Sequence, residues 1–115
     1  MFNIETALIK WARAALGVPC YAIVPADAPG RFVTVERTGG GTSLGVDRPV
    51  VAFQCWAASR LEASELASAL RSAIVTGARS IPEVCGASVS STYDFPDPDT
   101  RRARYQVVAE FTTRI

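Results

Sequence analysis

The sequence predicts an α+β domain: a mixed, mainly antiparallel β-sheet of about five strands packed against two α-helices. Three observations carry this. Two stretches repeat apolar residues at helical spacing, several short stretches alternate with period two, and strand-like stretches follow one another without a crossover helix. The strongest signal is Arg48–Thr76, where an apolar strand runs directly into an amphipathic helix.

In chain order, Asn3 can cap a first helix from Ile4 to about Leu16, with Ile4, Ala7, Leu8, Trp11 and Ala15 on one face. Gly17-Val18-Pro19 stops it, because glycine accepts the left-handed C-cap and proline cannot continue a helix. Cys20–Val24 reads as a short strand, followed by a Pro- and Gly-bearing loop through Gly30. Arg31–Thr38 alternates, setting Phe32, Thr34, Glu36 and Thr38 against Val33, Val35 and Arg37, which predicts a strand with one better-buried face. Gly39–Asp47 reads as a flexible loop.

The central strand, Val50–Ala57, is rich in branched and aromatic residues that suit a pleated surface. It forms an antiparallel pair with Arg31–Thr38, since no crossover helix separates them. Ser59-x-x-Glu62 is a capping box, and Ala63, Leu66, Ala67, Leu70 and Ile74 then share one helix face. Val84 to about Phe95 is a polar strand, and Pro96–Arg102 is a turn-rich loop. Arg104–Arg114 turns Tyr105, Val107, Ala109 and Phe111 inward and closes a long hairpin with the strand before it.

The 115 residues suit a single domain over 1–115, and 49% hydrophobic residues give it material for a core. No apolar run is long enough to span a bilayer, and Met1–Glu5 lacks a basic leader, so a soluble protein made in the cytoplasm and away from membranes is expected. The net charge is +1, from eleven scattered arginines and Lys10 against the acids, which is not the footprint of a dedicated nucleic-acid binder.

There is no histidine, which removes the commonest general base and the commonest metal ligand. Cys20, Cys55 and Cys85 lack metal-ligand spacing and predict no disulfide framework. Gly39–Ser43 has no lysine and no following helix, as a phosphate-binding loop requires. Asp94, Asp97 and Asp99 lack the glycine and distal glutamate of a calcium loop, and turn chemistry accounts for them better. Trp11 and Trp56 sit on apolar faces and read as core. No catalytic residue, metal site or cofactor is expected, and an enzyme is not.

Several segments together carry a family resemblance: Arg31–Gly40, Asp47–Ala57, Ser59–Ala63, and Tyr93–Pro98 with Arg104–Val107. They resemble the tail terminator (tail completion) proteins of long-tailed bacteriophages, of the kind that infect actinobacteria, over roughly Cys20 to Ile115. The resemblance implies a structural virion subunit of the neck that forms a hexameric ring. The ring caps the head-proximal end of the tail tube, stops its polymerisation and docks the tail to the head connector. Its partners would be further copies of itself, the tail tube protein and the connector, with genomic DNA passing through the lumen unbound.

Within that frame Asp97, Asp99, Arg101 and Arg102 are candidates for intersubunit or tube-facing ion pairs, and Arg48 is a weaker one. A solvated loop is the competing reading, since exposed pairs contribute only about 0–1 kcal/mol. The alternatives are another neck protein, such as a head-closure or head–tail joining subunit, then a cytoplasmic ligand-binding domain. Last comes an enzyme using Cys20 or Cys85.

Overall fold

The computed structural model describes residues 2–114; Met1 and Ile115, the ends of the expected domain, lie outside the described residues. The elements run α1 (Ile4–Leu16), β1 (Cys20–Tyr21), β2 (Phe32–Gly39), β3 (Thr42–Ser43), β4 (Val46–Asp47), β5 (Val50–Ala57), α2 (Arg60–Gly77), β6 (Val84–Asp94) and β7 (Ala103–Arg114), with a 3-10 turn at Ala78–Ser80. The class is α+β as expected: two helices on a mixed, mostly antiparallel sheet. Among the described residues the strands number seven rather than about five.

The helix boundaries follow from their caps. Asn3 accepts the Thr6 amide, and Gly17 closes α1 in the left-handed conformation (φ 66°) with its N–H on the Arg13 carbonyl. The face of α1 is rotated from the expected one: Ile4, Leu8 and Ala12 are buried, Ala7 and Trp11 are half-buried, and Ala15 is exposed. Ser59 Oγ accepts the Glu62 amide at 3.2 Å, and the Glu62 carboxylate accepts the Ser59 hydroxyl at 3.3 Å. The buried residues of α2 are Ala63, Leu66, Ala67, Leu70 and Ile74, the face read from the sequence.

The sheet is built around β5, which lies antiparallel between β2 and β7. On its other side β7 pairs with β6 over nearly its whole length, interrupted by bulges at Cys85 and Ser90. One face of the sheet carries Val33 and Val35, Val51, Phe53 and Cys55, and Val107, Ala109 and Phe111, all buried with both helices in one core. The opposite face carries Phe32, Thr34 and Glu36, Ala52, Gln54 and Trp56, Arg104, Gln106 and Val108, and Ser91 and Tyr93, by register. No helix among the described residues covers that face.

Three expectations change. Phe32, Val33, Thr34 and Val35 are buried in succession, so the first half of β2 is covered on both faces. Side chains and loops, not a helix, cover Phe32 and Thr34. Of Cys20–Val24 only Cys20–Tyr21 pairs, and it runs parallel to β2. The Ala22–Arg31 connection is long enough to carry the chain back to the start of β2.

Gly39–Asp47 is not a plain loop. β3 and β4 form a hairpin, and β4 continues β5's side of β7 through Val46↔Arg114 and Asp47↔Thr113. Arg37 fixes the hairpin: its guanidinium meets Asp47 at 2.6 and 2.8 Å and donates to the Gly39 and Gly40 carbonyls. The Arg37 amide in turn donates to the Glu5 carboxylate at 2.9 Å, tying α1 to the same node.

Candidate functional site

The five residues singled out from sequence do not form one cluster. Arg48 is exposed between β4 and β5, at the opposite end of the strands from the loop that holds the other four. Its backbone matters locally, since its amide donates to the Gly41 carbonyl at 3.0 Å.

Within the β6–β7 loop, Asp97 and Arg102 are occupied inside the chain. The Asp97 carboxylate accepts the Thr100 hydroxyl and the Thr100 amide, while its own carbonyl accepts the Arg101 amide. The Thr100 hydroxyl holds the Asp97 carboxyl below the usual carboxylate range. Arg102 donates from Nη2 to the Pro29 carbonyl at 3.0 Å, and its guanidinium lies over the rings of Phe32 (5.3 Å) and Trp56 (5.8 Å). Asp99 and Arg101 are exposed, and Arg101 has φ 59°. Among the described residues neither these acids nor these arginines form an ion pair with one another; Asp94 pairs instead with Arg60 at 3.3 Å.

The structure brings together a different set of residues on the open face. Phe32 and Trp56 stack 5.4 Å apart with their planes within 5° of parallel. Arg104 is sandwiched between Trp56 (4.9 Å) and Phe95 (4.4 Å) and donates from Nε to the Phe95 carbonyl. Phe95 meets Tyr93 edge-on at 5.8 Å. Trp56 is therefore buried as expected, but on the face away from the helices.

Beside this stack runs a transverse polar row, set by register: Tyr21↔Thr34, Thr34↔Gln54, Gln54↔Gln106 and Gln106↔Tyr93. The Trp56 indole can only donate, and it donates to the Thr34 hydroxyl at 3.1 Å. Thr34 then donates to Gln54 Oε1 (2.8 Å), Gln54 Nε2 to Gln106 Oε1 (2.8 Å), and Gln106 Nε2 to the Tyr93 hydroxyl. A chain of donors all pointing one way polarises its members, and it ends at Tyr93 on the outermost strand. Tyr93 is 40% exposed, and its own proton finds no acceptor among the described residues.

At the other end of the row Ala22, Ile23 and Val24 line a shallow groove with Thr34, Glu36, Gln54, Trp56 and Arg104. Ile23 is 78% exposed. Period-two alternation could have shown that Thr34, Gln54 and Gln106 share an outward face. Their alignment in one row depends on register between distant strands, which alternation does not carry.

Burial pushes the thiol of Cys20 up to about 11 and that of Cys55 up to about 12. The Arg37 hydrogen bond holds the Asp47 carboxyl below its ordinary range. Among the described residues no three acidic or cysteine side chains converge as a metal site would require. No helix among them is long and apolar enough to cross a membrane. Compared with known proteins, the chain matches no protein-family model and no curated protein.

Proposed function

We propose that this chain is a structural subunit of a bacteriophage neck, a tail terminator that assembles into a ring on the head-proximal end of the tail tube. The ring stops tube polymerisation and presents the surface to which the head connector docks. The observation that carries this reading is the resemblance of the segments Arg31–Gly40, Asp47–Ala57, Ser59–Ala63 and Tyr93–Pro98 with Arg104–Val107.

In the fold those segments are β2, β5 with the start of α2, and the end of β6 with the start of β7, which are contiguous across the middle of the sheet. Two further features support it. Among the described residues no helix covers one face of the sheet and no strand pairs with the outer edge of β6, so the subunit offers broad surface for self-association. Asp99, Arg101 and Arg48 stand exposed and free to meet a neighbour or the tube.

Electron microscopy of the purified protein, alone and mixed with purified tail tubes, tests the proposal. Rings, or density capping one end of each tube, are expected. Tubes that stay bare beside a monomeric protein would overturn it in favour of a head-side neck subunit or a binding domain.

A further inference from the structure

Two arginines roof the aromatic stack, and the chain uses them differently. Arg102 is committed to the Pro29 carbonyl through Nη2. Arg104 is held between the Trp56 ring at 4.9 Å and the Phe95 ring at 4.4 Å, with Nε donating to the Phe95 carbonyl at 2.7 Å. Its two Nη groups have neither a hydrogen-bond acceptor nor an ion pair among the described residues. Asp97, whose carboxylate feels the Arg104 charge, is turned to the Thr100 hydroxyl and amide instead.

A guanidinium pinned on both faces and at Nε has little rotamer freedom left to lose when a ligand arrives. The Nη edge that remains is suited to meeting a carboxylate with two parallel hydrogen bonds. Arg104 lines the shallow groove of the open face, and the groove supplies further chemistry. Ile23 and Val24 give it an exposed apolar wall, and Gln54 gives it a polar floor. Glu36 lines it too, exposed and without an ion pair among the described residues. By register Arg104 belongs to the row of Phe32 and Trp56, and Glu36 lies on the far side of the Thr34–Gln54 row. One cation and one anion therefore bracket the polar floor.

This combination discriminates among ligands. A nucleic-acid strand calls for several cations along its backbone and exposed rings under its bases. Here a carboxylate shares the groove with the cation, and Trp56 is only 5% exposed. A purely apolar compound would leave the Nη donors unmet. An extended peptide carrying an acidic side chain answers to every part of the groove.

We propose that the open-face groove binds an extended peptide segment through an acidic side chain, with Arg104 reading its carboxylate. Apolar side chains of the segment lie on Ile23 and Val24, its backbone amides meet Gln54, and a basic residue at its far end meets Glu36. The contact needs no ring, so it stands or falls apart from the tail terminator reading.

The probes are two capped peptides, acetyl-Lys-Gly-Val-Leu-Glu-amide and its counterpart ending in Gln, with inorganic phosphate as a third. Each is titrated into the isotopically labelled full chain while NMR follows the Trp56 indole and Arg104 Nε resonances, both N–H groups being hydrogen-bonded beside the groove. The acidic peptide is expected to bind with a Kd of about 1 mM or tighter, and its counterpart at least about tenfold more weakly. Phosphate should bind more weakly than the acidic peptide. Arg104→Gln should erase the difference between the two peptides, and Glu36→Lys should weaken the acidic peptide about threefold or more.

If Arg104→Gln disturbs folding, the two peptides on the native chain still decide, because they differ only in the charged group. Equal binding of both, or no shift of either resonance at about 10 mM peptide, overturns the inference. Phosphate binding as tightly as the acidic peptide overturns the peptide as ligand and leaves a general anion site. Undiminished binding in Glu36→Lys overturns the placement of the segment across the polar floor. Imaging with tail tubes tests the ring separately, and none of these outcomes bears on it.

Discussion

At Gly40 the backbone φ is 95°, and a Cβ placed there would stand 2.0 Å from the Arg48 carbonyl oxygen. Gly40→Ala should therefore lower stability by at least about 2 kcal/mol, read as a lower urea midpoint at unchanged slope. Leu44 shows the converse. It is 99% exposed at the tip of the β3–β4 hairpin, and with Gly45 it has positive φ (52° and 77°), as a type I′ turn requires. Leu44→Asn should stabilise the hairpin by about 1 kcal/mol, measured in the same way.

On the open face, Arg102→Ala should cost about 1–2 kcal/mol through its ring and Pro29 contacts, whereas the adjacent Arg101→Ala should stay within about 0.5 kcal/mol. The buried thiols set two further outcomes. Under native conditions a thiol reagent should titrate Cys85 promptly, and Cys20 and Cys55 only after unfolding. Their folded-state values lie above the ordinary 9.0, so the folded state holds its protons more tightly than the unfolded one. Their contribution is complete below pH 9.0 and falls as the pH rises past it. Asp47 has the opposite sign: its contribution is complete above the ordinary carboxylate value and is lost as pH falls through its lowered one. Asp47→Asn should flatten the acid limb of the stability–pH profile.

The helices and long strands were legible because each is specified by neighbours in sequence. Asn3, Gly17 and Ser59 mark helix ends by local hydrogen bonds, and Val50–Ala57 reads as a strand from its own side chains. Ser59→Ala should cost about 1 kcal/mol and Leu66→Ala or Leu70→Ala about 2–5 kcal/mol, since both leucines are fully buried. β1 and the β3–β4 hairpin were not legible. Ile23 and Val24 have strand character, but the chain turns away after Tyr21 and leaves them unpaired. The hairpin exists because Arg37, on another strand, grips Asp47, and because β7 provides an edge for β4.

For the whole molecule, the covering of one sheet face and not the other decides what can meet a partner. Two helices suffice for the core face, while Phe32 and Trp56 on the other are shielded by Arg102 and Arg104. Among the candidate residues, Asp99, Arg101 and Arg48 are exposed, whereas the fold uses Asp97 to close a turn and Arg102 to roof the aromatic stack. If the ring reading holds, reversing Arg101 should perturb tail length or tube binding, while Arg102→Ala should first lower the melting temperature.

By itself the sequence determined the class, the limits of α1 and the start of α2, the buried face of α2, the inward face of β7, β5 as a strand, and the long final hairpin, because these follow from periodicity and short-range capping. Only the tertiary structure decided the parallel β1, the anchored hairpin, the internal partners of Asp97 and Arg102, and the row from Tyr21 to Tyr93. Each of those depends on register or on contacts between residues far apart in the chain, and a local pattern holds no information about either.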